Sequence, residues 1–128
     1  MGYFMQTSGL NHIILTIKDI TTSRAFYGGL LGFDLKDIAD GFFFITGGVA
    51  FFFFTSHQPV PNDRFSEFRI GLDHLAFTAP NEEALQSLAD KLLASGVETK
   101  GVEIYHTGNK YVAFRDPDNI QLEYWLPK

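Results

Sequence analysis

The sequence predicts an α+β fold of two βαβββ modules pairing into a curved mixed-sheet cup. Three observations carry that expectation. First, LNHIILTI at residues 10–17 and LDHLAFTA at residues 72–79 share a pattern: Leu, Asn or Asp, His, apolar, any residue, apolar, Thr, then a small or apolar residue. Second, each of these alternating segments leads into a helix-like stretch. Third, three short strand-like segments follow each helix. A repeated unit that cannot bury its own sheet face is expected to pair with its copy.

The elements follow in order. ITTSRAFYGGLLGF at residues 20–33 opens the first helix, with Thr21 or Thr22 as its cap, Phe26, Leu30 and Leu31 on one face, and Gly32 as its stop. Gly28 and Gly29 weaken that helix by roughly 1 kcal/mol each relative to Ala, and close packing against a sheet would explain them. Strands are expected at residues 33–38, 42–46 and 49–55, with turns at Asp40-Gly41 and Gly47-Gly48. The second helix has Asn81 as N-cap, Glu82 and Glu83 in its first turn, an apolar stripe of Leu85, Leu88, Ala89, Leu92 and Leu93, and Gly96 as its stop. Strands at residues 97–105, 110–115 and 120–126 complete the second half, the last two joined through Asp116-Pro117-Asp118-Asn119. Residues 1–128 are read as a single domain: a first module at 8–55, a polar, proline-containing linker at 56–70, and a second module at 71–128.

Bulk properties narrow the function. The 128 residues suit one domain, and 45% hydrophobic content is that of a globular chain. A net charge of −5 without a Lys/Arg run argues against nucleic acid and against an anionic membrane surface. With no cysteine there is no disulfide, no thiolate nucleophile and no Cys-based zinc site, which suits the cytoplasm. MGYFMQTSG at the N-terminus lacks a secretory pattern, and Gln6 breaks the myristoylation pattern that Met1-Gly2 would begin.

Strand alternation then places the polar residues. His12 shares a face with Leu10, Ile14 and Thr16, opposite the apolar Ile13, Leu15 and Ile17. His74 lies opposite Leu75 and Phe77, so each half carries a histidine at the same point, turned away from its helix. Glu123 is also opposite the greasier face of its strand. Two imidazoles and a carboxylate on rigid strands can make a facial triad for a divalent metal with positions left open; an ordinary solvated strand face is the plain alternative. Phe52, Phe54 and Trp125 are expected to line the cup or to be core, and an aromatic cup suits an apolar or aromatic substrate. Tyr111 and Arg115 are placed near the metal face, with Arg115 either binding an anionic group or pairing with Asp116 or Asp118. His57 and His106 are expected to be solvated.

HIILTIKDITTSRAFYGGLLGF, LDHLAFTAP and FRDPDNIQLEYW together resemble the vicinal oxygen chelate superfamily, which includes glyoxalase I, extradiol dioxygenases, fosfomycin-inactivating transferases and metal-free bleomycin-binding proteins. The resemblance covers almost the whole chain. It implies paired modules around a divalent metal (Fe, Mn, Zn or Ni), His12, His74 and Glu123 as ligands, and a homodimer, in some members with exchanged modules. It implies a metal-dependent enzyme, a lyase, isomerase or dioxygenase, acting on a small substrate that chelates through two neighbouring oxygens; the alternative is a metal-free sequestration protein. Departures bear on the reaction. Phe52 stands where glyoxalase I carries a second glutamate, Thr16 where its bacterial type has arginine, Ala113 where dioxygenases have an acid tyrosine, and Ile14 where fosfomycin transferases have threonine.

Overall fold

The computed structural model describes residues 5–128, so the reading of residues 1–4 lies outside it. The chain runs β1 (His12–Ile17), α1 (Ile20–Arg24) continued by a π-helical stretch (Ala25–Leu30), β2 (Lys36–Ile38), β3 (Gly41–Thr46) and β4 (Val49–Thr55). It continues through β5 (Leu75–Thr78), α2 (Glu82–Ala94), β6 (Val102–Ile104), β7 (Lys110–Arg115) and β8 (Gln121–Leu126). Two four-stranded mixed sheets result, ordered β1-β4-β3-β2 and β5-β8-β7-β6. In each, the first strand of the half pairs in parallel with its last, and the hairpin strands are antiparallel.

The turns behave as their residues require. Gly47 and Gly48, both at positive φ, close a two-residue hairpin in which Thr46 faces Val49. Asp40 and Asn119 take left-handed backbone at the other turns. Gly41 is needed for closeness: a Cβ there would sit 1.9 Å from the Phe53 carbonyl oxygen.

The helices differ from expectation in instructive ways. Asp19, not Thr21 or Thr22, caps α1; its carboxylate accepts from the Thr21 amide at 3.1 Å and the Thr22 hydroxyl at 2.9 Å. Beyond Arg24 the helix widens, and the Leu31 amide donates to the Phe26 carbonyl at 2.9 Å. Widening rotates the face, so Tyr27 becomes wholly buried beside Phe26, while Leu30 and Leu31 are only partly buried. Gly28 packs tightly, but against the Leu35 side chain rather than a sheet; Gly29 is open. In α2, Asn81 accepts from the Ala84 amide at 2.8 Å, and Leu85, Leu88, Ala89 and Leu92 are buried, whereas Leu93 is exposed.

The two halves share one core. Phe77 of β5 packs against Phe33 and Phe51, with ring centroids 5.3 Å away in both cases, and Phe26 meets Phe114 at 6.1 Å. Phe33 is not in a strand; it stacks flat on Phe44 at 3.9 Å. The Tyr27 hydroxyl donates to Asp116 Oδ2 at 2.7 Å, a buried bond between the first helix and the β7–β8 turn. The Asp116 Oδ1 accepts from the Asp118 and Ile120 amides, both at 2.8 Å. Burial raises this carboxyl to about 6 even with those donors, and burial also raises the Tyr27 phenol. Because the halves join through their helix-bearing sides, the opposite sheet faces turn outward.

Candidate functional site

Those outward faces carry the residues that alternation picked out. In β1 the core takes Leu15 and Ile17, and His12, Ile14 and Thr16 are exposed. In β4 Phe51 and Phe53 are buried while Phe52 and Phe54 are half-buried on the His12 side. Phe52 stacks on Phe43 at 5.2 Å and meets the His12 ring edge-on at 6.0 Å. In β8 Leu122 is buried, leaving Glu123 and Trp125 on the outer face.

Within one chain the structure brings two of the three expected ligands together. His74 Nε2 lies 3.6 Å from Glu123 Oε1. His12 stands on the other sheet, and among the described residues no three His, Asp or Glu side chains gather into a metal-holding group.

The preceding residue fixes each histidine. His74 Nδ1 lies 2.7 Å from Asp73 Oδ1, and His12 Nδ1 lies 2.7 Å from Asn11 Oδ1. An amide or carboxylate oxygen can only accept, so each Nδ1 donates to its neighbour and each Nε2 is left as the outward-facing nitrogen. His74 Nε2 faces the Glu123 carboxylate oxygen, an arrangement satisfied either by a proton on Nε2 or by a metal cation between the two. This donor chemistry fits a divalent metal, with the neighbouring oxygens setting the tautomer.

A polar chain missed by sequence reasoning supports Asp73. Gln121 Nε2 donates to Asp73 Oδ1 at 3.0 Å and to its carbonyl at 3.2 Å. Arg115 donates to Gln121 Oε1 at 3.4 Å, to the Asn119 carbonyl at 3.2 Å and to Glu67 Oε1 at 3.1 Å, with a second, shorter bond to the other Glu67 oxygen. The expected pairing of Arg115 with Asp116 or Asp118 is therefore replaced by Glu67, since Asp116 turns inward to Tyr27. The paired guanidinium holds the Glu67 carboxyl at about 2. No local pattern announces this pair: Glu67 comes from the linker, 48 residues away.

Beside Glu123 lies an aromatic group. Tyr111 and Trp125 face each other across β7 and β8 and stack at 5.7 Å. Tyr105 stands edge-on to Trp125 at 5.5 Å. Burial and the nearby carboxylates of Glu103 and Glu123 raise the Tyr111 phenol. His57 and His106 are exposed, as expected. A separate cleft of about 620 Å³ opens between β1 and the linker, lined by Ile14, Thr16, Val60, Phe65 and Leu72; His12, His74 and Glu123 do not line it. Among the described residues no helix is long and apolar enough to cross a membrane.

Relatives share this architecture. The chain is 28% identical to the Bacillus subtilis (strain 168) uncharacterized protein YwkD, over 93% of this chain and 97% of that one. The solved glyoxylase/bleomycin resistance protein/dioxygenase domain from Frankia sp. EAN1pec superposes with a TM-score of 0.80 at 28% identity, covering 96% and 94% of the two chains. A glyoxalase/dioxygenase from Nostoc punctiforme has the same TM-score at 21% identity, covering 100% and 99%, a likeness of fold. The family model of the Glyoxalase/Bleomycin resistance protein/Dioxygenase superfamily matches residues 9–124, and the chain belongs to that superfamily.

Proposed function

We propose that two copies of this chain form a metal-dependent enzyme in which His12 of one copy joins the partner's His74 and the partner's Glu123. The observation that carries this reading is the His74–Glu123 pair, Nε2 and Oε1 3.6 Å apart, with His74 Nδ1 held against Asp73. The shared core supports the assembly: it turns the His12 face and the His74 face outward, so one chain has two half-sites and two chains complete two cups. His12, with its tautomer set by Asn11, is the matching third donor. When bound, the metal would supply Lewis acidity toward a small substrate carrying two neighbouring oxygens. Phe52, Tyr111 and Trp125 flank the donors and exclude water from the apolar part of that substrate. Arg115, already held by Glu67, orients Gln121 and Asp73 and through them the His74 ring.

A metal-free binding cup is the second reading. It is favoured by the half-buried aromatic surfaces on both outer faces and by the separation of His12 from the other two donors within a chain.

Metal analysis of protein purified without a His-tag, combined with melts of wild type and Glu123→Gln with and without chelator, separates the two. The enzyme reading expects bound divalent metal and a chelator-sensitive melting temperature in wild type, both lost in the variant, with an unchanged apo melt. Equal chelator sensitivity in both proteins would return Glu123 to an ordinary strand residue.

A further inference from the structure

We propose that the outer face of the second sheet binds a planar aromatic cation on Tyr105, Tyr111 and Trp125, with Glu103 supplying the counter-charge. The proposal goes beyond the reading above: it names a ligand class for the metal-free face, where Glu123 is an unligated carboxylate. It rests on that face contacting ligand, not on the metal being present.

The rings stand in two orientations. Tyr111 and Trp125 are stacked within 22° of parallel, and Tyr105 rises at 65° to Trp125 and 76° to Tyr111. A flat ligand therefore has a ring face to lie along and an upright edge to abut. Aromatic faces are electron-rich and attract cations, more so where water is partly excluded.

Among the described residues, the carboxylates on the strands beside the rings have no strand cation facing them; His106, packed on Tyr105 at 4.1 Å, belongs to the β6–β7 turn. Glu103 of β6 is directly opposite Tyr111 in the β6–β7 ladder, on the same outer face. Glu123 lies two residues before Trp125 on that face. The raised Tyr111 phenol reports the same field, after burial itself. Cations are turned elsewhere: Arg115 is held by Glu67, and Lys110 reaches the helix side to pair with Glu82. Lys128 lies against Gly108 in the β6–β7 turn. An anionic ligand would meet two carboxylates and no free strand cation, whereas a cation meets both carboxylates and ring faces.

Trp125 is the sole tryptophan, so its emission reports on this face alone. The experiment uses the full chain with chelator present throughout, which keeps its outcome independent of the metal reading. Quenching of Trp125 is titrated with 9-aminoacridine, a tricyclic cation at neutral pH, and with anthracene-9-carboxylate, an anion of matched size. The cation should bind at least about tenfold tighter. Glu103→Gln should weaken the cation several-fold with an unchanged melt, and Tyr111→Ala should weaken both probes. Equal or tighter binding of the anion, an unchanged cation affinity in Glu103→Gln, or no quenching by either probe below millimolar concentration would each overturn the proposal; in the last case the face is covered by a second copy or is simply solvated.

Discussion

His74 Nδ1 lies 2.7 Å from the Oδ1 of Asp73, the residue immediately before it, and Asn11 holds His12 the same way at the same distance. The repeated (Asn/Asp)-His pair is thus a repeated device: the strand entry delivers an oxygen that engages Nδ1 and leaves Nε2 facing outward. The two copies are not equivalent. Asp73 is anionic and is itself braced by Gln121, whereas Asn11 is neutral, so only the second-sheet histidine is backed by a full negative charge.

Asp73→Ala should therefore lower divalent metal affinity by about 10–100-fold, and Asn11→Ala by less. Competition with a metallochromic chelator measures both. Similar losses at the two sites would mean that the charge on Asp73 does not tune His74.

Glycine substitutions test the packing. Gly41→Ala places a Cβ 1.9 Å from the Phe53 carbonyl oxygen, which the β3–β4 pairing cannot move aside. A loss of about 2–4 kcal/mol, or failure to fold, is expected in urea unfolding. Gly29→Ala meets nothing within 4 Å and should be neutral or stabilising by up to about 1 kcal/mol. A strongly destabilised Gly29→Ala would show that the widened turn itself needs glycine.

Much of this molecule is legible in its sequence because its signals are local. Alternation in HIILTI and QLEYWL separates core faces from outer faces, and the repeat pairs the two histidines. What was not legible depends on long-range contacts. Tyr27 is not among the expected face residues Phe26, Leu30 and Leu31, yet the widened helix swings it into the core, where Asp116 takes its hydroxyl. Residues 33–35 read as strand, yet Phe33 is committed to stacking on Phe44. Residues 97–101 read as strand, yet β6 begins only at Val102, after Gly101 takes positive φ. The alternation that places His12 and His74 on outward faces also cannot say whether those faces meet within a chain or between chains, because it encodes a face and not its partner.

The Tyr27–Asp116 bond predicts a pH-dependent stability. Burial raises the Asp116 carboxyl from its ordinary value near 3.8 to about 6 in the folded protein. A folded-state pKa above the unfolded one means that this group's contribution is complete below about 4 and is lost as pH rises through 6, on the order of 2–3 kcal/mol in all. Tyr27→Phe removes a donor that favours the ionised form, so the carboxyl should rise further. The variant should be less stable than wild type by about 1–3 kcal/mol at pH 8, with a smaller gap at pH 5. Urea unfolding at the two pH values checks this; a gap independent of pH would show that Asp116 does not titrate between them.

The composite site makes the sharpest claim about assembly, and subunit mixing tests it. His12→Ala removes the first-sheet donor, and Glu123→Gln removes the only negative charge in the proposed triad. Each variant alone should bind no metal, because every site in its homodimer lacks one ligand. In a hybrid dimer the outcome depends on which chains supply each site. If His12 meets the partner's His74 and the partner's Glu123, one hybrid site collects both defects and the other collects none. Random mixing makes about half the dimers hybrid, each with one intact site of two, so bound metal should recover to roughly a quarter of wild type. If instead each site were built within one chain, mixing would restore nothing, since every chain still carries its own defect. Metal content of the co-refolded mixture, measured beside the two parents, decides between these arrangements, and a mixture that stays metal-free while wild type binds would exclude the exchanged site.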